Sequence, residues 1–479
     1  MLAALTRKFD VSRFAGKGRN LGFGAFSRIT ALGSQFIFLI LLGKFLEKSA
    51  FGDFMIVFAL VRVLSQGMGT GLATLIVYHV SRHASMEREI SLHRSVLLLG
   101  IVISGVLSIG MVTLATHISS WFGKPSLTPW LVTMAPFFFF STLLTISVGA
   151  LDGRGKITHS ITAMEFFPNI LRLVCVPLLI PLGLISKGIA PVMAISVMLP
   201  WLYIAFSLLK KTGAGLSKLT AWDLQYSGKL TIHSFAAMQM QGIDMLVVGW
   251  LFPSSVAADY AIASRVAALI PFFQQIIVKT FMTKAGRAIY EQDISGLQGE
   301  IDSSRRLSVM LVTATAVAAM LSYPVLTFVI NKFGGSLPIL ALLAAGAVYR
   351  SYFPGADALI RISGHANFSL IIMLTSVTNL IIVPLLIGKF IGVYSVALAM
   401  LISGLVLNPV MSRFVRRHIG VRVTDRSMIV PMGLGLAGTA LCAWGADNML
   451  IWIAGCALTI ASLLPLISPS VIPRARKHS

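Results

Sequence analysis

Charge is what this sequence has least of. Only 12% of its 479 residues are Asp, Glu, Lys or Arg, where a soluble domain carries about 25%. Acids are scarcer than bases, 17 against 39, which leaves a formal charge of +22. Cysteine is nearly absent. Cys175, Cys442 and Cys456 all lie in apolar stretches with no paired spacing, so core packing is expected of them rather than disulfide or metal chemistry. No G-x-x-x-x-G-K-[ST] string occurs, so the chain carries no P-loop of its own.

What is present is apolar. Hydrophobic residues make up 56% of the chain and the mean hydropathy is +0.86. Apolar runs of roughly 20 residues recur throughout, the length that a ~30 Å hydrocarbon core requires. The alternating ~10-residue strands of a membrane barrel are missing. The chain therefore reads as an all-α polytopic membrane protein. Fourteen spans are expected, near 21–44, 52–79, 95–116, 128–150, 160–183, 188–209, 230–251, 256–280, 307–330, 337–360, 367–387, 391–412, 429–446 and 448–466. The first is long, follows a charged tail and lacks an A-x-A-like site, so a cleaved signal peptide is not expected there.

Lys and Arg set the orientation. With the N-terminus cytoplasmic, inside segments hold 28 of them and outside loops only six: Lys44, Lys48, Lys124, Lys187, Lys332 and Lys389. That bias predicts both termini on the cytoplasmic side of the membrane. It assigns the positive charge to insertion and to contact with anionic lipid, not to nucleic acid. The expected organisation is a cytoplasmic tail (1–20), an N-lobe (21–209), a cytoplasmic linker (210–229), a C-lobe (230–412), a cytoplasmic loop (413–428), two further helices (429–466) and a second tail (467–479).

The lobes follow from an internal repeat. The string VPLLI occurs at 176–180 and again at 383–387. Gln35, Gly43, Asp53 and Phe54 stand opposite Gln241, Gly249, Asp259 and Tyr260, all at an offset of 206. Gly155 and Ser160 match Gly364 and Ser369, and Gly188 is matched with Gly392. The offset spans six helices, an even number, so the halves enter the membrane in the same direction and form parallel repeats. A cavity between two such lobes is the expected place for a transported substrate.

Five arginines fall inside the expected spans: Arg28, Arg62, Arg172, Arg265 and Arg350. Three acids join them: Glu165, Asp244 and Asp357. A central charge costs about 2.5–3.5 kcal/mol on insertion scales, so these groups must face water or one another. Glu165 and Arg172 are seven apart, which places them on one helix face. Arg350 and Asp357 share that spacing, with Pro354-Gly355 between them expected to kink the helix. The structural reading is ion pairs and snorkelling side chains, Arg28 and Asp244 lying near span ends. The functional reading is a cationic cavity that suits a phosphate-bearing substrate, because the guanidinium fork matches phosphate, with the acids as coupling or ion-pair groups.

Other motifs are weaker. His79 and His83 have a ligand-like spacing, but no carboxylate accompanies them within a turn, so no metal is expected. Gly67, Gly69 and Gly71 read as close helix packing or a kink rather than a phosphate loop. The acids at 291–302 read as a solvated loop, not a paired catalytic site. Outside loops of about a dozen residues are short for a polysaccharide polymerase or ligase.

Several elements together carry a resemblance: fourteen spans, the parallel halves, Gly52-Asp53-Phe54 and Ala258-Asp259-Tyr260 after the first and seventh spans, Gly153-Arg154-Gly155-Lys156 and Ser363-Gly364-His365, and the segment from Gly242 to Gly249. The chain resembles the oligosaccharide flippase branch of the multidrug/oligosaccharidyl-lipid/polysaccharide exporter superfamily, over nearly its whole length. The resemblance implies a transporter, not an enzyme, without cofactor or metal. It would flip an undecaprenyl-pyrophosphate-linked oligosaccharide for O-antigen or exopolysaccharide synthesis by alternating access, with polymerase or assembly proteins as partners. A peptidoglycan-precursor flippase and a cation-coupled multidrug exporter of the same superfamily are the alternatives. A membrane glycosyltransferase is a more distant one. The first span carries Arg28 and no acid, which counts against the multidrug exporter. The last two helices are read either as a groove for the lipid tail or as a peripheral packing pair.

Overall fold

The computed structural model describes residues 30–31, 33–80, 86–209, 215–237, 242–330, 332–445 and 448–464. Among these the chain is helical, without strands. The helices are α1 (Gly33–Phe45), α2 (Lys48–Val80), α3 (Met86–Thr113), α4 (Ala115–Trp121), α5 (Leu127–Gly153), α6 (Ile157–Ile161), a π turn (Thr162–Phe166), α7 (Phe167–Leu179) and α8 (Ile185–Leu209). There follow α9 (Ala221–Ala237), α10 (Asp244–Leu251), α11 (Ser254–Ala267), α12 (Phe272–Tyr290), α13 (Ile294–Ile330), α14 (Ser336–Ser351), α15 (Ala356–Ile362), α16 (Ala366–Ile391), α17 (Tyr394–His418), α18 (Ile429–Trp444) and α19 (Met449–Ala461).

Eight of these are long and apolar enough to cross a membrane, and ten spans result if α11 with α12 and α14 with α15 each count as one bent span. Shorter apolar helices (α1, α18, α19) add three. Among the described residues each of the fourteen expected spans contains helix, and the protein is a multi-pass membrane protein. Outward apolar residues follow the helical period: Leu98, Val102, Val106 and Ile109 line one stripe of α3, the face such a helix turns to lipid.

The chain forms two compact units, Met1–Ile243 and Asp244–Ser479. The division falls inside the seventh expected span, between α9 and α10. α9 starts at Ala221, within the expected linker, because Thr220 and Asp223 make a capping box: the Asp223 carboxylate accepts from the Thr220 N–H at 2.8 Å, and the Thr220 hydroxyl accepts from the Asp223 N–H at 3.2 Å.

In the first unit α2 packs on α5 and α9, and its glycines explain how closely. A methyl at Gly67 would lie 2.5 Å from the Phe235 ring, and one at Gly71 would lie 2.0 Å from the Thr231 hydroxyl and 2.8 Å from the Ser227 carbonyl. At Gly69 it would meet Thr145 of α5 at 2.8 Å. The triplet is therefore a packing surface with two sides, since residues 67 and 71 share a face that 69 does not.

In the second unit α18 and α19 form a hairpin against α14 and α13. Gly438 and Gly455 bring the two backbones into contact. Cys442 and Cys456, which carry no paired spacing in sequence, are buried with their sulfurs 3.7 Å apart. The segment entering the hairpin is held from α13. Gln298 exchanges two hydrogen bonds with the Arg422 backbone, at 2.7 and 2.9 Å. Arg305 donates to the Val423 carbonyl at 3.0 Å and pairs with Asp302 at 2.8 Å. Of the stretch 291–302, read from sequence as a solvated loop, residues 294–302 are thus the first turns of α13. Its polar side chains clasp a neighbouring segment.

The repeat is visible in backbone geometry. The Gly155 N–H bonds to the Asp152 carbonyl and the Lys156 N–H to the Leu151 carbonyl, both at 2.9 Å. At an offset of 209, Gly364 bonds to Arg361 at 3.2 Å and His365 to Ile360 at 3.0 Å. Both glycines have positive φ, +69° and +87°, the left-handed helix end that glycine permits. One sequence match needs correction. The partner of Gly392 (φ +62°) is Gly183 (φ +65°), also at offset 209. Gly188 lies inside α8, against Leu179.

Candidate functional site

The intramembrane charges divide between the units: Arg62, Arg172 and Glu165 in the first, Arg265, Arg350, Asp244 and Asp357 in the second. Arg28 lies outside the described residues.

In the first unit Arg62 is half-buried on α2, its Nε 3.5 Å from the Gln66 amide oxygen. Arg172 is buried on α7. Its Nε donates to Ser196 Oγ at 2.9 Å and its Nη1 to Asn169 Oδ1 at 3.4 Å. Its guanidinium lies 5.4 Å from the centre of the Phe137 ring. Among the described residues no carboxylate lies within ion-pair distance of it, while Arg62 is near enough to act on it electrostatically. Glu165 does not supply the counter-charge that a seven-residue spacing suggested. It sits in the π turn Thr162–Phe166, whose wider winding takes residues beyond it out of register. The Glu165 carbonyl is held there by the Asn169 amide at 2.7 Å.

In the second unit the charges cluster at helix breaks. Asp244 occupies the first turn of α10 and Arg265 the last turn of α11. Arg350 occupies the last turn of α14 and Asp357 the first turn of α15. Each has the sign that the local helix dipole favours. Asp244 is buried and accepts from the Tyr260 hydroxyl at 2.9 Å, with Arg265 near enough to attract it. Arg350 Nε donates to the Gly346 carbonyl at 3.2 Å, and the Arg350 carbonyl accepts from Gln274 at 3.4 Å. The kink expected at Pro354-Gly355 is a 49° bend, with Gly355 at φ +67°. Arg350 and Asp357 therefore do not share a straight face, and Asp357 pairs with Arg361 at 3.0 Å and accepts from the Ser369 hydroxyl.

Asn169, Ser196 and Asp223 escaped the sequence reading, and Tyr260 entered it only as a repeat match. Asp223 hydrogen-bonds His79 at 2.7 Å, so the carboxylate missing from the neighbourhood of His79 in sequence arrives from α9. Burial pushes the Asp223 carboxyl up, but hydrogen bonds from the Thr220 N–H, His79 and the Thr220 hydroxyl outweigh it and hold the group below its usual 3.8. His83 lies outside the described residues. Among the described residues, no three His, Cys, Asp or Glu side chains are arranged to hold a metal.

Residues 41–332 match the family described as "Polysaccharide biosynthesis protein". No curated protein sequence matches the chain. Among solved structures it is similar to the lipid II flippase MurJ in an inward closed conformation, with a TM-score of 0.71 at 17% identity over 93% of this chain and 97% of the other. It is similar to an inward-facing multidrug resistance MATE transporter of the MOP superfamily, with a TM-score of 0.69 at 16% identity over 82% and 94%. A third is a MOP superfamily transporter from Pyrococcus furiosus described as having a binding pocket of reversed polarity, with a TM-score of 0.57 at 16% identity over 84% and 95%.

Proposed function

Because the chain belongs to the polysaccharide biosynthesis protein family and has the fold of MOP-superfamily transporters, we propose that it is a flippase for an undecaprenyl-pyrophosphate-linked oligosaccharide. It moves that lipid from the cytoplasmic to the periplasmic leaflet of a bacterial inner membrane, for O-antigen or exopolysaccharide synthesis, by alternating access. The observation that carries the reading is Arg172. A buried guanidinium with neutral ligands, no carboxylate among the described residues and a second arginine nearby is costly in a membrane unless an anion completes it. Pyrophosphate supplies that charge in the geometry that a guanidinium fork accepts. In this reading Arg28, Arg62, Arg265 and Arg350 are further cationic groups for the same anionic substrate, and at least one of Glu165, Asp244 and Asp357 titrates during the cycle.

A peptidoglycan precursor carries the same anionic group. The match to the lipid II flippase covers more of this chain than the match to the MATE transporter, 93% against 82%, so a flippase is favoured over a multidrug exporter. The test is surface polysaccharide output at matched membrane abundance, for alanine and lysine variants of Arg62, Arg172, Arg265 and Arg350. Bidentate recognition predicts that lysine fails nearly as badly as alanine, one lost charge-assisted contact being worth about 1.5–3 kcal/mol. Normal output from all four alanine variants removes the substrate-binding role of these arginines. Normal surface polysaccharide but failed cell-wall synthesis in a strain lacking the protein moves the assignment to the peptidoglycan precursor.

A further inference from the structure

The duplication places one hydrogen bond in both halves of the chain, and only one copy is charged. In the first half Arg172 of α7 donates to Ser196 of α8 at 2.9 Å. At an offset of 207, the spacing of the two VPLLI strings, Asn379 of α16 donates to Ser403 of α17 at 2.7 Å. Each bond fastens the fifth helix of its repeat to the sixth. The second copy does so with a neutral amide, so fastening needs no guanidinium. The charge at position 172 exceeds what the packing requires.

The surroundings of Arg172 hold it in one orientation. The Ser196 hydroxyl donates to the Met193 carbonyl at 2.7 Å, which directs its lone pair at the arginine. Asn169 is itself fixed, because its amide is spent on the Glu165 carbonyl within the π turn. The aromatic face of Phe137 lies beside the guanidinium. Two of the five N–H donors are engaged. The remaining nitrogen, Nη2, is not among the buried unpartnered atoms, so it reaches accessible space.

We infer that Ser196 and Asn169 are positioning residues that aim Arg172 at the anionic group of the substrate. The inference rests on the reading of Arg172 given above. The sister repeat supplies the replacement that separates the two: Arg172→Asn restores the neutral form of the bond.

The experiment uses the full chain purified in detergent, with inorganic pyrophosphate as the probe and its stabilisation of the thermal transition as the readout. Arg172→Asn is expected to melt with or above the wild type when unliganded and to need at least tenfold more pyrophosphate for the same stabilisation, the loss of a charge-assisted contact. Ser196→Ala and Asn169→Leu keep Arg172 but lose its aim. Both should bind pyrophosphate roughly tenfold more weakly, and Ser196→Thr, which restores a hydroxyl, should bind as the wild type does. Wild-type binding by Ser196→Ala and Asn169→Leu beside weak binding by Arg172→Asn overturns the positioning role and leaves the reading of Arg172 standing. Wild-type binding by Arg172→Asn overturns that reading itself. A large fall in the unliganded melting temperature of Arg172→Asn overturns the claim that the charge exceeds what packing requires.

Discussion

Gly71→Ala adds one methyl group to the face of α2 that touches α9. The new carbon would stand 2.0 Å from the Thr231 hydroxyl, 2.8 Å from the Ser227 carbonyl and 3.0 Å from the Thr231 nitrogen. The hydroxyl can rotate away, but the other two atoms are backbone, so α9 has to retreat from α2. Overpacking of this kind costs about 1–3 kcal/mol. Alanine's better helix propensity returns about 1 kcal/mol of that, so the net effect is a loss on the order of 1 kcal/mol. Gly110→Ala is the internal control. Nothing lies within 4 Å of a methyl there, so only the propensity gain of about 1 kcal/mol remains. Melting of the purified protein in one detergent should place Gly71→Ala below the wild type and Gly110→Ala at or above it. Thr231→Ala should rescue Gly71→Ala only in part, since the Ser227 carbonyl stays. A Gly71→Ala variant that melts with or above the wild type refutes the contact.

Cysteine labelling from outside should reach a cysteine placed at Lys332 but not one at Ser295, and the reverse pattern contradicts the expected orientation. Among Glu165→Gln, Asp244→Asn and Asp357→Asn at least one should reduce export at matched abundance; unchanged export from all three removes the coupling role. Asp223 has a carboxyl held below its usual 3.8. The stability that it contributes is therefore full above the unfolded value and is lost as pH falls through the lower folded value. The acid limb of a melting-temperature profile should be shallower for Asp223→Asn, and an unchanged limb removes the His79–Asp223–Thr220 network as its source.

Composition and periodicity were enough for the helical class and the multi-pass membrane reading, because a membrane demands long apolar helices and little else satisfies their backbones. The repeat was legible too, in VPLLI and the glycines at helix ends, whose left-handed backbone no other residue adopts so readily. What escaped was whatever depended on helix winding. The π turn at Thr162–Phe166 broke the register that paired Glu165 with Arg172. The 49° bend at Gly355 was anticipated, yet it delivered Asp357 to Arg361 instead of Arg350. Long-range polar contacts were invisible for another reason. Asp223 is 144 residues from His79, and no local pattern joins them. Ser196 could have been found, since it stands at the same offset from Ser403 as the duplicated string, but a lone serine in an apolar run carries no signal until its partner is known.

A flippase of this kind moves a pyrophosphate-linked oligosaccharide lipid across a bilayer. The most direct measurement reconstitutes the full chain in vesicles that hold an undecaprenyl-pyrophosphate-linked oligosaccharide confined to the inner leaflet. Arrival of its sugar at an impermeant oxidant outside is then followed over time. The account predicts that vesicles with the wild-type protein expose the lipid faster than protein-free vesicles and that Arg172→Asn abolishes the difference. Equal exposure with and without protein, or unimpaired exposure by the variant, would contradict it.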